Sequence, residues 1–158
     1  MTAAIALLAK ERGGPHILAQ LMFYPVTDAN FETGSYQTYA NGPWLTRAAM
    51  QWFWDAYVPD KKRRTEPTAS PLQATIDQLR GLPPALLFTD ENDVLRDEGE
   101  AYARKLAAAG VRVRQFRVLG TIHDFMLLNA ISNTPAVRAA IEYASQTLRE
   151  VFSSGGIR

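Results

Sequence analysis

The 158 residues contain no cysteine. That excludes disulfides, thiolate-ligated zinc and a thiol nucleophile, and it suits a reducing compartment. Only two histidines are present, so a protein-ligated metal site is not expected. Nothing in the chain asks for a cofactor. Long hydrophobic runs are missing too: no segment approaches the roughly 18–20 apolar residues of a membrane span. The opening Met1-Thr-Ala-Ala-Ile-Ala-Leu-Leu-Ala9 is apolar but short. It has no basic segment before it, so it reads as a buried helix and a cytoplasmic location is expected. An excess of either charge is also lacking: 17 basic residues face 16 acidic ones, a net charge of +1. Neither a nucleic-acid-binding face nor an acidic solvating tail is expected from that balance. Finally, Gly-x-Ser-x-Gly occurs nowhere, which removes the usual sharp turn that exposes a serine nucleophile.

What is present is ordinary globular material, 47% apolar, of a length that suits one domain. Residues 2–12 predict a helix stopped by Gly13-Gly14-Pro15. The apolar run 17–24, ended by Pro25, predicts a strand covered on both faces. Residues 26–45 read as an excursion loop. Thr46 then caps a helix over 47–57, whose apolar stripe would be Met50, Phe53, Trp54 and Tyr57. Residues 60–83 read as a second long loop, with at most a short helix around 73–80. Pro83-Pro84 opens a strand at 85–89, Asp97 and Glu98 begin a helix ending before Gly110, and 111–118 alternates as a strand. Its three arginines mark it as an edge strand. Thr134-Pro135 starts the last helix, with Val137, Ala140, Ile141, Ala144, Leu148 and Val151 inward. The domain is expected to span 1–152, followed by a frayed tail at 153–158. Alternation of this kind predicts an α/β fold with a parallel sheet, helices on both faces and right-handed crossovers.

In open α/β sheets the working residues follow the carboxyl ends of strands. Three loops qualify: Pro25-Val-Thr-Asp28, Asp90-Glu-Asn-Asp93-Val-Leu-Arg-Asp97 and Leu119-Gly-Thr-Ile-His123-Asp-Phe125. Asp93 and His123 stand one strand–helix–strand unit apart, so an acid and an imidazole are placed at neighbouring strand ends. A carboxylate there would fix the histidine tautomer and stabilise the imidazolium formed when the ring takes a proton.

Four segments carry a family resemblance: Tyr24-Pro-Val-Thr-Asp28, Leu82-Pro-Pro-Ala-Leu86, Glu91-Asn-Asp93-Val-Leu-Arg-Asp-Glu98 and Gly120-Thr-Ile-His123-Asp-Phe125. Together they resemble the hormone-sensitive-lipase family of carboxylesterases, over about residues 2–150. The resemblance implies the C-terminal half of an α/β-hydrolase sheet, about three parallel strands flanked by helices. It also implies that Asp93 is the acid and His123 the base of a catalytic triad, in the chain order of that fold. Many relatives have glycine after the histidine, where this chain has Asp124. The departures are large, because the His-Gly-Gly-Gly oxyanion loop and the nucleophile elbow of the family are both absent. The opening helix is similar to the one that follows the elbow, so the chain is expected to begin just past the serine, at a methionine internal to a longer parent. Ser35, Ser70, Ser132, Ser145, Ser153 and Ser154 are the available hydroxyls, and none is placed on a strand-to-helix turn.

Each of these residues also has a plainer reading. A loop histidine is more often a surface residue than a base, and Asp93 or Asp97 could simply cap the entry to a helix. His16, beside Pro15, reads as structural. Phe53 and Trp54 at helical spacing read as core; Trp44, in the excursion loop, is the better candidate for lining a substrate pocket. Lys61-Lys-Arg-Arg64 reads as a solvated loop. Two functions follow. In the first, the chain supplies acid and base to hydrolysis of a small ester and is inactive without the nucleophile. In the second, it is a non-catalytic remnant or split-protein half, acting by assembly with a missing N-terminal half or with itself through exposed sheet edges.

Overall fold

Ala85-Leu-Leu-Phe88 is the apolar run on which the molecule is built. In the computed structural model, which describes residues 1–154, it opens the central strand of a three-stranded parallel sheet. The elements run α1 (Thr2–Glu11), β1 (Gln20–Phe23), α2 (Gly34–Thr38), α3 (Arg47–Tyr57), α4 (Ile76–Leu79), β2 (Ala85–Asn92), α5 (Arg96–Ala108), β3 (Val113–Ile122) and α6 (Pro135–Ser154). The strand order is β1-β2-β3, with Gln20 opposite Ala85 and Ala85 opposite Val113. This is the parallel, doubly covered sheet expected from the alternation of elements.

Side chains on a strand alternate between faces, and β2 uses both. Ala85 and Leu87 pack with Ala3, Ala6 and Leu7 of α1 and with Tyr102, Ala103 and Leu106 of α5. Leu86 and Phe88 point the other way, to Val137, Ala140, Ala144 and Val151 of α6. Gly99 lets α5 lie close on the sheet, since a Cβ there would come within 3.0 Å of the Thr89 methyl. A third cluster lies off the sheet: Tyr36 and Leu45 of the excursion, with Met50 and Trp54 of α3, close over Val94 and Leu95, just after β2.

Several boundaries differ from the sequence reading, each for a physical reason. β1 is shorter than 17–24 because its ladder runs only from Gln20 N–H on Pro84 to Tyr24 N–H on Phe88, where Tyr24 turns to φ +37°. β2 and β3 are longer than expected. A bulge between Asp90 and Asn92 lets pairing resume at Asn92–Ile122, so polar residues taken for loop are strand. The excursion holds α2, capped by Thr33. Thr46 caps α3 as expected, accepting from Ala49 N–H. Of the α3 stripe only Met50 and Trp54 are buried; Phe53 and Tyr57 are 49% and 67% exposed. Arg64 is not simply solvated. It is buried, donating to the Val58 carbonyl and to Asp55 at 2.6 Å. α6 continues through Ser154, past the expected end of order at 152, and 155–158 lie outside the described residues. β3 is an edge of this sheet, and Arg117 grips Glu100 of α5 through two contacts of 2.7 and 2.9 Å. Among the described residues no helix is long and apolar enough to cross a membrane.

Candidate active site

Parallel strands deliver their carboxyl ends to one side of the sheet, and the bulge sets the ends of β2 and β3 level there. Asp93 leaves β2 and His123 leaves β3. His123 Nδ1 lies 2.8 Å from Asp93 Oδ2. The carboxyl group is 1% exposed, and its other oxygen accepts from Leu95 N–H at 3.0 Å at the entrance to α5. Asp93 thus braces the entrance to α5 and contacts an imidazole at the same time. The imidazole is fixed on its other side by the edge of Tyr24, ring centroids 4.8 Å apart.

The second nitrogen, Nε2, stays free of any serine. Among the described residues no serine hydroxyl is hydrogen-bonded to His123. Ser35 donates to the Val94 carbonyl and trades hydrogen bonds with Asp97, which therefore ties α2 to α5 rather than capping its own helix. Ser70, Ser132 and Ser153 each donate to a nearby carbonyl. His123 instead lines an open groove of about 1130 Å³ with Phe23, Tyr24, Phe53, Trp54 and Tyr57. Phe53 and Trp54, read as core, therefore also face this space. Trp44 does not line the groove. It sits 62% exposed, and its Nε1 donates to Asp124 at 3.1 Å. His16 is exposed.

Asp124 stands at φ +66°, a left-handed conformation that glycine adopts without strain and aspartate tolerates. Its carboxylate lies 3.6 Å from Nε2, so this chain puts negative charge beside the nitrogen that would exchange protons.

Three acids at this end of the sheet were not singled out by sequence reasoning for what they do. Asp90 is fully buried, and burial together with the charge of Asp93 drives its carboxyl well above the usual range. Glu98 is buried in α5 and accepts from Thr27 N–H (2.6 Å) and Asp28 N–H (3.0 Å), pinning the loop after β1. Burial pushes Glu98 up to about 8, against the pull of those two donors. Asp28 in turn accepts from the Gln73 amide at 2.9 Å. Tyr24 responds to the same surroundings: burial, then the charges of Asp124, Asp90 and Asp93, raise its phenol to about 12. The available signal for Asp90 was its place two residues beyond Phe88, on the same buried strand face. One oxygen each of Asp90 and Asp93 and one ring nitrogen of His123 lie within 4.8 Å of one another, a set of ligand types that could meet a cation. The 2.8 Å contact already commits Asp93 and Nδ1 to each other.

A model of the α/β-hydrolase fold family matches residues 1–127, from α1 through the His123 turn. The chain belongs to the α/β-hydrolase fold family. Within it the similarity is to carboxylesterases of the hormone-sensitive-lipase type. A putative α/β-hydrolase of Acanthamoeba polyphaga mimivirus is 45% identical over 96% of this chain and 44% of its own length. An ethyl acetate hydrolase of Pseudomonas putida is 38% identical over 77% of the chain and 37% of its own. Among solved structures, a thermostable esterase from Pseudomonas putida is 58% identical with a TM-score of 0.88, covering 90% of this chain and 44% of that one. This α/β-hydrolase chain therefore spans about half or less of the length of the relatives it matches.

Proposed function

We propose that the chain supplies the acid and base of a serine carboxylic ester hydrolase acting on short to medium acyl esters. The nucleophile and oxyanion donors would come from a sheet-completing partner segment. The observation that carries this reading is the 2.8 Å His123–Asp93 contact, made by a histidine that lines the open groove beside β1. In the reaction the partner's serine attacks the ester carbonyl as Nε2 takes its proton. Asp93 stabilises the resulting imidazolium, and the same proton passes to the departing alcohol. Water, activated by the same nitrogen, then releases the acid. Without the serine there is no covalent step, and without the oxyanion donors the main charge stabilisation is missing. The isolated chain is accordingly inactive.

Assembly is the second part of the reading, and the outer edge of β1 favours it. Among the described residues no strand pairs there. Met1, Ile5, Phe53 and Tyr57 stand exposed along the groove beside it. An open edge next to apolar surface is a template for another strand. Without a catalytic partner, the same edge supports the alternative of a non-catalytic remnant that assembles with itself.

The test is complementation. The chain is mixed with the N-terminal half of the 58%-identical esterase and assayed on p-nitrophenyl butyrate. Turnover is expected only in the mixture, falling about 10⁴-fold or more with His123→Ala. His123-dependent turnover by the chain alone would overturn the inactivity. A complex that forms with its elbow serine intact yet stays inactive would favour the remnant.

A further inference from the structure

Beneath the His123–Asp93 pair lies a second buried acid with an unequal share of partners. Asp93 receives two donors, Leu95 N–H and the His123 ring. Asp90 has weaker support: its Oδ1 lies 3.1 Å from Thr121 Oγ1, the Asp93 carboxyl stands close enough to interact with it, and its Oδ2 is buried with no donor to receive. That hydroxyl has a single proton and a nearer claimant, the Val118 carbonyl at 2.7 Å, which can only accept. If Thr121 donates to Val118, the contact with Asp90 is a hydrogen bond only when Asp90 brings its own proton. Asp90 makes no salt bridge among the described residues. The titratable groups around it are Asp93 on its own loop, His123 and Asp124 on the β3 turn, and Tyr24 at the end of β1. Two of these are further carboxylates, and no cation is among them apart from the imidazole once it is protonated.

We propose that Asp90 is a positioning residue, held as the neutral acid, which donates to Thr121 and leaves Asp93 to carry the only buried carboxylate charge facing His123. Two carboxylates with unequal surroundings sort into one ionised and one protonated. The sorting matters to the base. A second buried charge beside the ring would favour its protonated form, which cannot accept a proton. The location matters as well. The Asp90–Thr121 bond crosses from β2 to β3 inside the bulge, where the ladder is interrupted, and Asn92 Nδ2 donates to the Thr121 carbonyl at 3.2 Å. These two contacts hold the strand ends that present Asp93 and His123. Burial and the neighbouring charge of Asp93 favour the protonated acid, outweighing the opposite pull that a hydrogen bond donated by Thr121 would exert.

The proposal rests on the acid–base reading of His123 and Asp93. Its test reads protonation rather than turnover, so failure of the esterase reading and failure of this one are separable. In the wild-type 158-residue chain, carboxyl-carbon NMR should show Asp90 titrating above neutrality. A midpoint near pH 4, the ordinary carboxylate range, would overturn the proposal. With His16→Gln leaving one histidine, the ring resonances of His123 are then followed against pH. Asp90→Asn keeps a neutral donor and is expected to leave the His123 midpoint within about 0.3 pH units of the parent. If Asp90 were ionised, losing a charge within 4.8 Å would lower that midpoint by about 0.6 to 2.5 pH units. The downfield proton of the Asp93–His123 bond should survive in Asp90→Asn and vanish in Asp90→Ala. Its persistence in both would remove the positioning role. Should neither variant fold, the wild-type carboxyl titration decides the protonation claim by itself.

Discussion

Glu98 makes a pH-dependent claim on the whole fold. Folded, its carboxyl titrates near 8; unfolded, it returns to about 4.5. A folded value above the unfolded one means that the native state holds a proton the unfolded chain releases. The associated stability is fully present below about pH 4.5 and is lost as pH rises through about 8. The difference is worth up to about 5 kcal/mol, a large part of the stability of a domain this size. The opposing carboxylate, Glu100, is held low by Arg117 and acts in the other direction, but its loss comes as pH falls below the usual range, outside this window. Glu98→Gln keeps an acceptor for the Thr27 and Asp28 amides and cannot ionise. Urea unfolding from pH 4.5 to 9, followed by tryptophan fluorescence, should show wild-type stability declining across the window and a shallower decline in Glu98→Gln. The remainder belongs to Asp90, which has the same sign, so adding Asp90→Asn should flatten the profile. Equal slopes in wild type and Glu98→Gln, or wild-type stability rising from pH 5 to 8, would refute the burial argument.

Two further outcomes follow from single contacts. Asp124→Asn removes a charge 3.6 Å from His123 Nε2 while keeping an acceptor for Trp44 Nε1, so the His123 ring resonances should move while the Trp44 indole N–H resonance keeps its place; unchanged His123 resonances would place the Asp124 side chain elsewhere in solution. Thr46→Ala deletes the side-chain acceptor for Ala49 N–H at the start of α3 and should cost about 0.5–2 kcal/mol, read as a lower urea midpoint at unchanged m-value.

The elements easiest to read from sequence were those whose signals are local. Thr46 with an apolar stripe behind it, Thr134-Pro135, and the glycine after α5 each announce a helix end through capping chemistry, and all three helices lie where those signals put them. The strands were placed correctly but mismeasured. Strand ends depend on a partner's backbone, and nothing in Leu119-Gly-Thr-Ile122 shows that Asn92 will re-form the ladder after a bulge. The α3 stripe failed in a related way. Periodicity gives a face but not its depth of cover, and only Met50 and Trp54 find a partner surface, around Val94 and Leu95.

Asp93 and His123 could be paired from sequence because parallel topology converts a separation of one strand–helix–strand unit into adjacency. The surroundings that tune them could not. Trp44 reaches Asp124 across 80 positions and Glu98 reaches Thr27 across 71, through an excursion whose path no local pattern encodes. Asp90 was the hardest to see. By composition it is one more acid in an acidic turn. Its meaning depends on where a single Thr121 proton goes, and that is decided by the Val118 carbonyl one strand away. The motif therefore carries the paired acid and imidazole, whereas the electrostatics around them are a property of the packed sheet. For that reason Asp90→Asn and Asp124→Asn, which alter no motif residue assigned to acid or base, are the substitutions that separate geometry from electrostatics at this site.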